Sequence, residues 1–295
     1  MALPGDDMPL NVLVIYAALA TWLLVFVYDL RRRQFSPSIY FGIGLMLYLN
    51  VGYFLTGAST SIANFVAIYD VLINVGLVSA DDAAAVTTCA GNACSVWGET
   101  FSNHPAWGVA FYERFANGPE FRSTLLYGHI LFNSLAFVLL HIQILRPGFA
   151  GHRDSHRLLG RISFLFLTIS VVCAVWLASQ HGSVSEYGGV LSQYGFYSMS
   201  AFVYATAIMG IVAIRSKDTD SHRKWMFRYA GSMWGSFWLF RVMLFVIDPL
   251  LRDFEAAAIL ICIWFSAPLG IVIAELVRRR LDQPGRKKGV VTVPA

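Results

Sequence analysis

STLLYGHILFNSLAFVLLHIQIL, residues 123–145, decides the fold. The run contains no Asp, Glu, Lys or Arg. At a rise of about 1.5 Å per residue it is long enough, as a helix, to cross a hydrocarbon layer of about 30 Å. Working outward, similar apolar runs lie near 9–30, 38–58, 158–180, 193–214, 225–247 and 255–277. They are continuous rather than alternating, so they read as helices and not as strands of a closed barrel. Composition agrees. The 295 residues are 57% hydrophobic and 14% charged, with mean hydropathy +0.58. A soluble domain carries about 25% charged residues, so the solvent of this surface is lipid. The expected fold is all-α: a polytopic membrane helical bundle of seven transmembrane helices, with no soluble catalytic domain left over.

The basic residues orient the bundle. Arg31, Arg32 and Arg33 follow the first run, and Arg146, Arg153, Arg157 and Arg161 separate the third and fourth. Arg215, Lys217, Arg223, Lys224 and Arg228 lie between the fifth and sixth, and Arg278, Arg279, Arg280, Arg286, Lys287 and Lys288 follow the seventh. The opposite side has only Arg114, Arg122 and Arg252. The rich side is assigned to the cytoplasm, which puts the amino terminus outside and the carboxyl terminus in the cytoplasm. An even number of helices would break this alternation. The net charge of +4 therefore sets topology and does not point to nucleic acid. The start, MALPGDDMPL, has no basic n-region, so the first run reads as a retained helix rather than a cleaved signal. The expected home is the cytoplasmic (inner) membrane, crossed several times.

The chain divides into two amino-terminal helices (1–58), an outer loop (59–121), a four-helix core (122–248), a seventh helix (249–280) and a cytoplasmic tail (281–295). The outer loop holds SIANFVAIYDVLINVGLV at 61–78, which Asp70 and the following Asp81 and Asp82 mark as a surface amphipathic helix rather than an eighth span. It also holds CAGNAC, in which Cys89 and Cys94 form an expected short disulfide. No neighbouring His or Cys completes a metal site there. Cys173 and Cys262 read as buried apolar residues.

Ionisable groups inside a membrane are costly and each asks for a reason. Helix 3 carries His129 and His141, helix 4 runs between His156 and His181, and helix 6 begins at His222 and contains Arg241. His129 is about 9 Å inside the outer end and His141 about 6 Å inside the inner end, about 18 Å apart along the axis and about 120° apart in direction. They cannot share one metal. Each fits a separate site, as in membrane cytochromes whose paired imidazoles clamp two haems. His181 is the candidate partner of His129, and His156 or His222 that of His141. His129, His141 and His222 are then the haem-iron ligand candidates. The competing reading of His129 is a satisfied interhelical contact. For His152, His156 and His222 it is a cytoplasmic face that binds lipid phosphate. Arg241 lies about 10 Å from the outer end, near the depth of His129. It either snorkels toward Asp248 or holds a haem propionate or a quinone oxygen in its planar fork.

HRDSHRLLGRI at 152–162 and SHRKWMFRYA at 221–230 both lead into helices. With LLYGHILFN and Arg241, they resemble the DUF2306 family of uncharacterised bacterial integral membrane proteins over about 122–245. Carried over, the motif positions are His129, His156, Arg161, His222, Trp225, Met226, Arg228 and Arg241. The family brings no established activity. Its four-helix core looks, by analogy, like a di-haem cytochrome b561-like bundle. Three function classes are compatible with these residues. One is a protein of haem-b electron transfer or quinone interaction, with cofactor-binding candidates His129, His141, His156, His181, His222, Arg228 and Arg241, serving a redox partner or a larger membrane complex. Another is a non-enzymatic accessory subunit, sensor or small-molecule carrier. The third is a metal-dependent membrane hydrolase, for which His141, His156 and His222 would have to converge on one open site.

Overall fold

The computed structural model describes residues 10–32, 36–56, 120–145, 153–179, 189–243, 247 and 255–282. Every regular element among them is helical. In chain order these are α1 (Leu10–Arg32), α2 (Ser36–Thr56), α3 (Glu120–Leu145), α4 (Arg153–Ser179), α5 (Gly189–Arg215), α6 (Thr219–Trp234) and α7 (Glu255–Asp282). One helix falls on each of the seven apolar runs. Four are long and apolar enough to cross a membrane: Glu120–Ile144, Asp154–Ser179, Gly189–Arg215 and Ala257–Asp282. The loop with Cys89, Cys94 and the 61–78 segment lies outside the described residues, as do His152, His181 and Asp248.

The helices outrun the apolar stretches. α4 starts at Arg153 and α6 at Thr219, so His156 and His222 occupy first helical turns rather than loops. Hydropathy marks where lipid contact stops, whereas backbone hydrogen bonding continues into the charged flank. Asp218 caps α6 by accepting the Ser221 backbone N–H at 2.9 Å. The α5–α6 reversal is made tight by Lys217, whose φ of 62° lies in the left-handed region. α7 likewise reaches Asp282, past the expected start of the tail.

α3 packs on α4, α6 is flanked by α5 and α7, and α2 meets α3. Phe137, Leu140, Leu167, Met233 and Trp238 fill the centre, joined by Met46 of α2. Large apolar side chains such as Leu165, Val172, Trp176, Val212 and Val272 point outward. That inverted exterior is favourable against lipid tails and not against water. Without a hydrophobic drive between helices, close packing and polar rungs hold the bundle. Asn50 donates to Ser134 Oγ at 2.5 Å between α2 and α3, and Ser163 donates to the Ala136 carbonyl at 3.1 Å between α4 and α3. Thr168 and Tyr204 meet at 3.3 Å, as do Thr206 and Ser232.

The α6–α7 crossing uses small residues. Gly231 and Gly235 are spaced as in a GxxxG face, and a Cβ at either would collide with the α7 backbone, at Gly270 and at Ser266 respectively. Immediately after Trp234, residues Gly235–Leu239 form a π-turn, in which the Phe240 N–H bonds to the Gly235 carbonyl. One added residue rotates the downstream helix by about 100°, so this turn sets where Arg241 faces.

Candidate functional site

Three clusters contain the described histidines and Arg241. The first joins α3, α4 and the residues after the π-turn. His129 Nδ1 lies 3.1 Å from the Ser170 carbonyl and 3.0 Å from Ser170 Oγ, whose hydroxyl also reaches the His129 carbonyl at 3.2 Å. Ser170 is buried and can thus hold either imidazole tautomer. When Nδ1–H donates to the Ser170 carbonyl, Nε2 carries a lone pair. When the Ser170 hydroxyl donates to Nδ1, Nε2–H is a donor. Nε2 has no partner among the described residues. Arg241 lies within electrostatic reach of His129, as their shared depth in the sequence predicts. Its guanidinium donates to the Phe237 carbonyl at 2.7 Å and rests on the Phe237 ring, 4.1 Å from the centroid. Among the described residues no carboxylate pairs with it, and the Phe237 carbonyl takes one of the five donors of its fork.

The second cluster surrounds His141, which is 2% exposed. Nδ1–H donates to the Phe137 carbonyl at 2.7 Å, and Nε2 accepts the Trp234 indole N–H at 2.8 Å. A carbonyl only accepts, so the tautomer is fixed and both nitrogens are engaged. Trp234 stacks on Trp22, centroids 6.1 Å apart, and Trp22 stacks on Trp238 at 6.2 Å. His141 therefore meets Trp234 rather than the expected His156 or His222. Iron ligation at its Nε2 requires Trp234 to leave.

The third cluster is at the arginine-rich end. His156 and His222 face each other with ring centroids 6.5 Å apart and planes at 84°. His222 Nδ1–H donates to the Gly210 carbonyl at 2.8 Å. Nearby, Glu275 of α7 gathers Arg278, Arg279 and Arg228, the last at 3.5 Å. Arg228 also stacks on Trp225 at 4.6 Å, so it has a ring beside its share of the Glu275 carboxylate. Arg278 and Arg223 both reach Asp282. Among the described residues no three His, Cys, Asp or Glu side chains converge to hold a metal ion. The three-ligand centre that a hydrolase needs is not assembled there. Cys173 and Cys262 are not disulfide-bonded, and Cys262 is fully buried.

Sequence reasoning missed Ser170, Trp234 and Phe237, the residues that decide what each charged or imidazole group can do. A serine midway along an apolar helix was the available signal for Ser170. Nothing in periodicity marks Trp234 or Phe237. It also missed Asp29, buried at the end of α1, where it accepts the Ser38 N–H at 2.8 Å and caps α2.

No curated protein and no solved structure matches the chain. One family model does, described as a predicted membrane protein (DUF2306), over residues 126–278, just over half of the chain. That interval begins just before His129 and ends at Arg278, enclosing His129, His141, His156, His222 and Arg241. The chain belongs to the DUF2306 family of membrane proteins.

Proposed function

We propose that this is a seven-span protein of the bacterial cytoplasmic membrane, amino terminus outside, whose α3–α4–α6 core binds the carbonyl head of a lipid-soluble quinone in an electron-transfer role. The observation that carries the reading is Arg241: a guanidinium inside the bundle with one backbone acceptor, no carboxylate among the described residues and a neighbouring imidazole. A charge so placed is expensive unless a ligand completes it. A quinone oxygen accepts from the guanidinium and from His129 Nε2–H, the tautomer in which the Ser170 hydroxyl donates to Nδ1. The redox partner would be another membrane component or a larger complex.

Haem b is the second reading, favoured by the other tautomer. There Nδ1–H bonds a backbone carbonyl and Nε2 is open, the arrangement usual for a metal-bound histidine. In that case Arg241 would hold a propionate, and His181 remains the candidate opposite ligand.

Quinone extraction and an absorbance spectrum, oxidised and reduced, of protein purified in mild detergent separate the readings. The expected result is co-purifying quinone, lost at least about tenfold in Arg241→Met and in His129→Ala, with no Soret band. A Soret band lost in His129→Ala replaces quinone by haem. Neither quinone nor haem, with both variants folded and cellular phenotype unchanged, leaves the accessory, sensor or carrier role.

A further inference from the structure

Among the described residues, two histidine rings meet at the arginine-rich end, away from Arg241. We propose that His156 and His222 form a site for one divalent transition-metal ion, joining the first turn of α4 to the first turn of α6. The site is independent of the quinone reading.

Tautomers decide what the two rings offer. His222 Nδ1–H is committed to the Gly210 carbonyl at 2.8 Å, so in the neutral ring Nε2 presents a lone pair. A backbone carbonyl on one imidazole nitrogen is the usual companion of a metal on the other. His156 makes no hydrogen bond among the described residues, so both its nitrogens are open. The ring centroids are 6.5 Å apart. A metal–nitrogen bond of about 2.0–2.1 Å puts the ion about 3.2 Å from each ring centre, so a trans pair spans about 6.4 Å and a tetrahedral pair about 5.2 Å. The observed centroid separation matches the first, and rotation of the part-exposed His156 turns a nitrogen toward His222 and reaches the second.

Local charge does not forbid a cation. Arg157 has Asp154 at 3.7 Å, and Arg223 has Asp282 at 2.7 Å. Phosphate is the rival ligand for such a face. Neutral His222 has no N–H left to give it, whereas a metal needs the lone pair. Two imidazoles suit Cu2+, Zn2+ or Ni2+, with water or a small anion in the remaining positions. His141 forms no such site, because its second nitrogen is taken by Trp234.

The probe is Cu2+ added to the full chain in phosphatidylcholine nanodiscs, with affinity by competition against a chelator and ligand count by electron paramagnetic resonance. One Cu2+ is expected, with the hyperfine pattern of two imidazoles. His156→Asn and His222→Ala each lose at least about tenfold in affinity, and the double variant loses no more than either. His156 has no internal bond to lose among the described residues, so His156→Asn keeps the fold and decides the matter even if His222→Ala does not. A loss below about tenfold in His156→Asn overturns the proposal. So does a two-imidazole spectrum that survives His222→Ala and disappears in His152→Ala, which would place the ion on one chain segment. Binding of inorganic phosphate, but not of Cu2+, that depends on both residues overturns it in favour of an anion site.

Discussion

Replacing Trp234 with Phe tests whether the His141 cluster is held by its hydrogen bond or by packing alone. The indole N–H sits 2.8 Å from His141 Nε2, and His141 is shut away from solvent. Phe retains most of the contact with Trp22 and Phe137 but removes the donor. An acceptor left unpaired in a buried site costs about 1–3 kcal/mol. Interhelical polar contacts in membranes average about 0.6 and reach about 1.7 kcal/mol, because unfolded helices in lipid also find partners. About 1 kcal/mol is therefore assigned to the lost bond. The smaller ring adds about 1 kcal/mol for the space it leaves. Trp234→Phe is expected to destabilise by about 2 kcal/mol. His141→Leu in the same background removes the orphaned acceptor, and the cycle closes with a coupling of about 1 kcal/mol. The assay is unfolding in mixed micelles with rising dodecyl sulfate, followed by far-ultraviolet circular dichroism. A Trp234→Phe protein within about 0.3 kcal/mol of the parent, or an additive cycle, would refute the reasoning.

Other contacts lead to equally specific expectations. Gly231→Leu drives a side chain into the Gly270 backbone and is expected to cost at least about 1–3 kcal/mol in the same assay. Gly44→Ala, where a Cβ meets nothing within 4 Å, serves as the neutral control. Glu275→Gln removes the carboxylate shared by Arg228, Arg278 and Arg279 and is expected to cost about 1–3 kcal/mol, with a smaller difference from the parent in high salt; equal stability at low salt refutes a structural role for the cluster. The Ser221 N–H holds the Asp218 carboxyl below the usual carboxylate range. A depressed folded value means the cap is fully effective above the ordinary carboxylate pKa and weakens as pH falls through the folded one. Melting curves from about pH 7 to about pH 3 are expected to lose part of their acid sensitivity in Asp218→Asn, which still caps; identical pH profiles would count against this.

The sequence by itself determined that the described elements are helices and where along the chain they lie. Continuous apolar runs leave the chain no other way to satisfy its backbone in lipid, and the seven described helices lie on them. Length and composition make four of those helices able to cross a membrane. The residues that matter were also legible as exceptions: His129, His141 and Arg241 stand out because ionisable groups are rare in such runs. What each one touches was not legible. His141 meets Trp234, not a second histidine, because the indole of α6 and the imidazole of α3 arrive at one level only after the helices pack. His156 and His222 meet because both helices extend a turn beyond the apolar stretch, which hydropathy does not register. Arg241 comes within electrostatic reach of His129 after a π-turn that shifts the helix register, invisible to a 3.6-residue period. Periodicity is a property of one helix. Partnership belongs to pairs of helices, fixed by small-residue crossings such as Gly231–Gly270, and only the tertiary structure decides it.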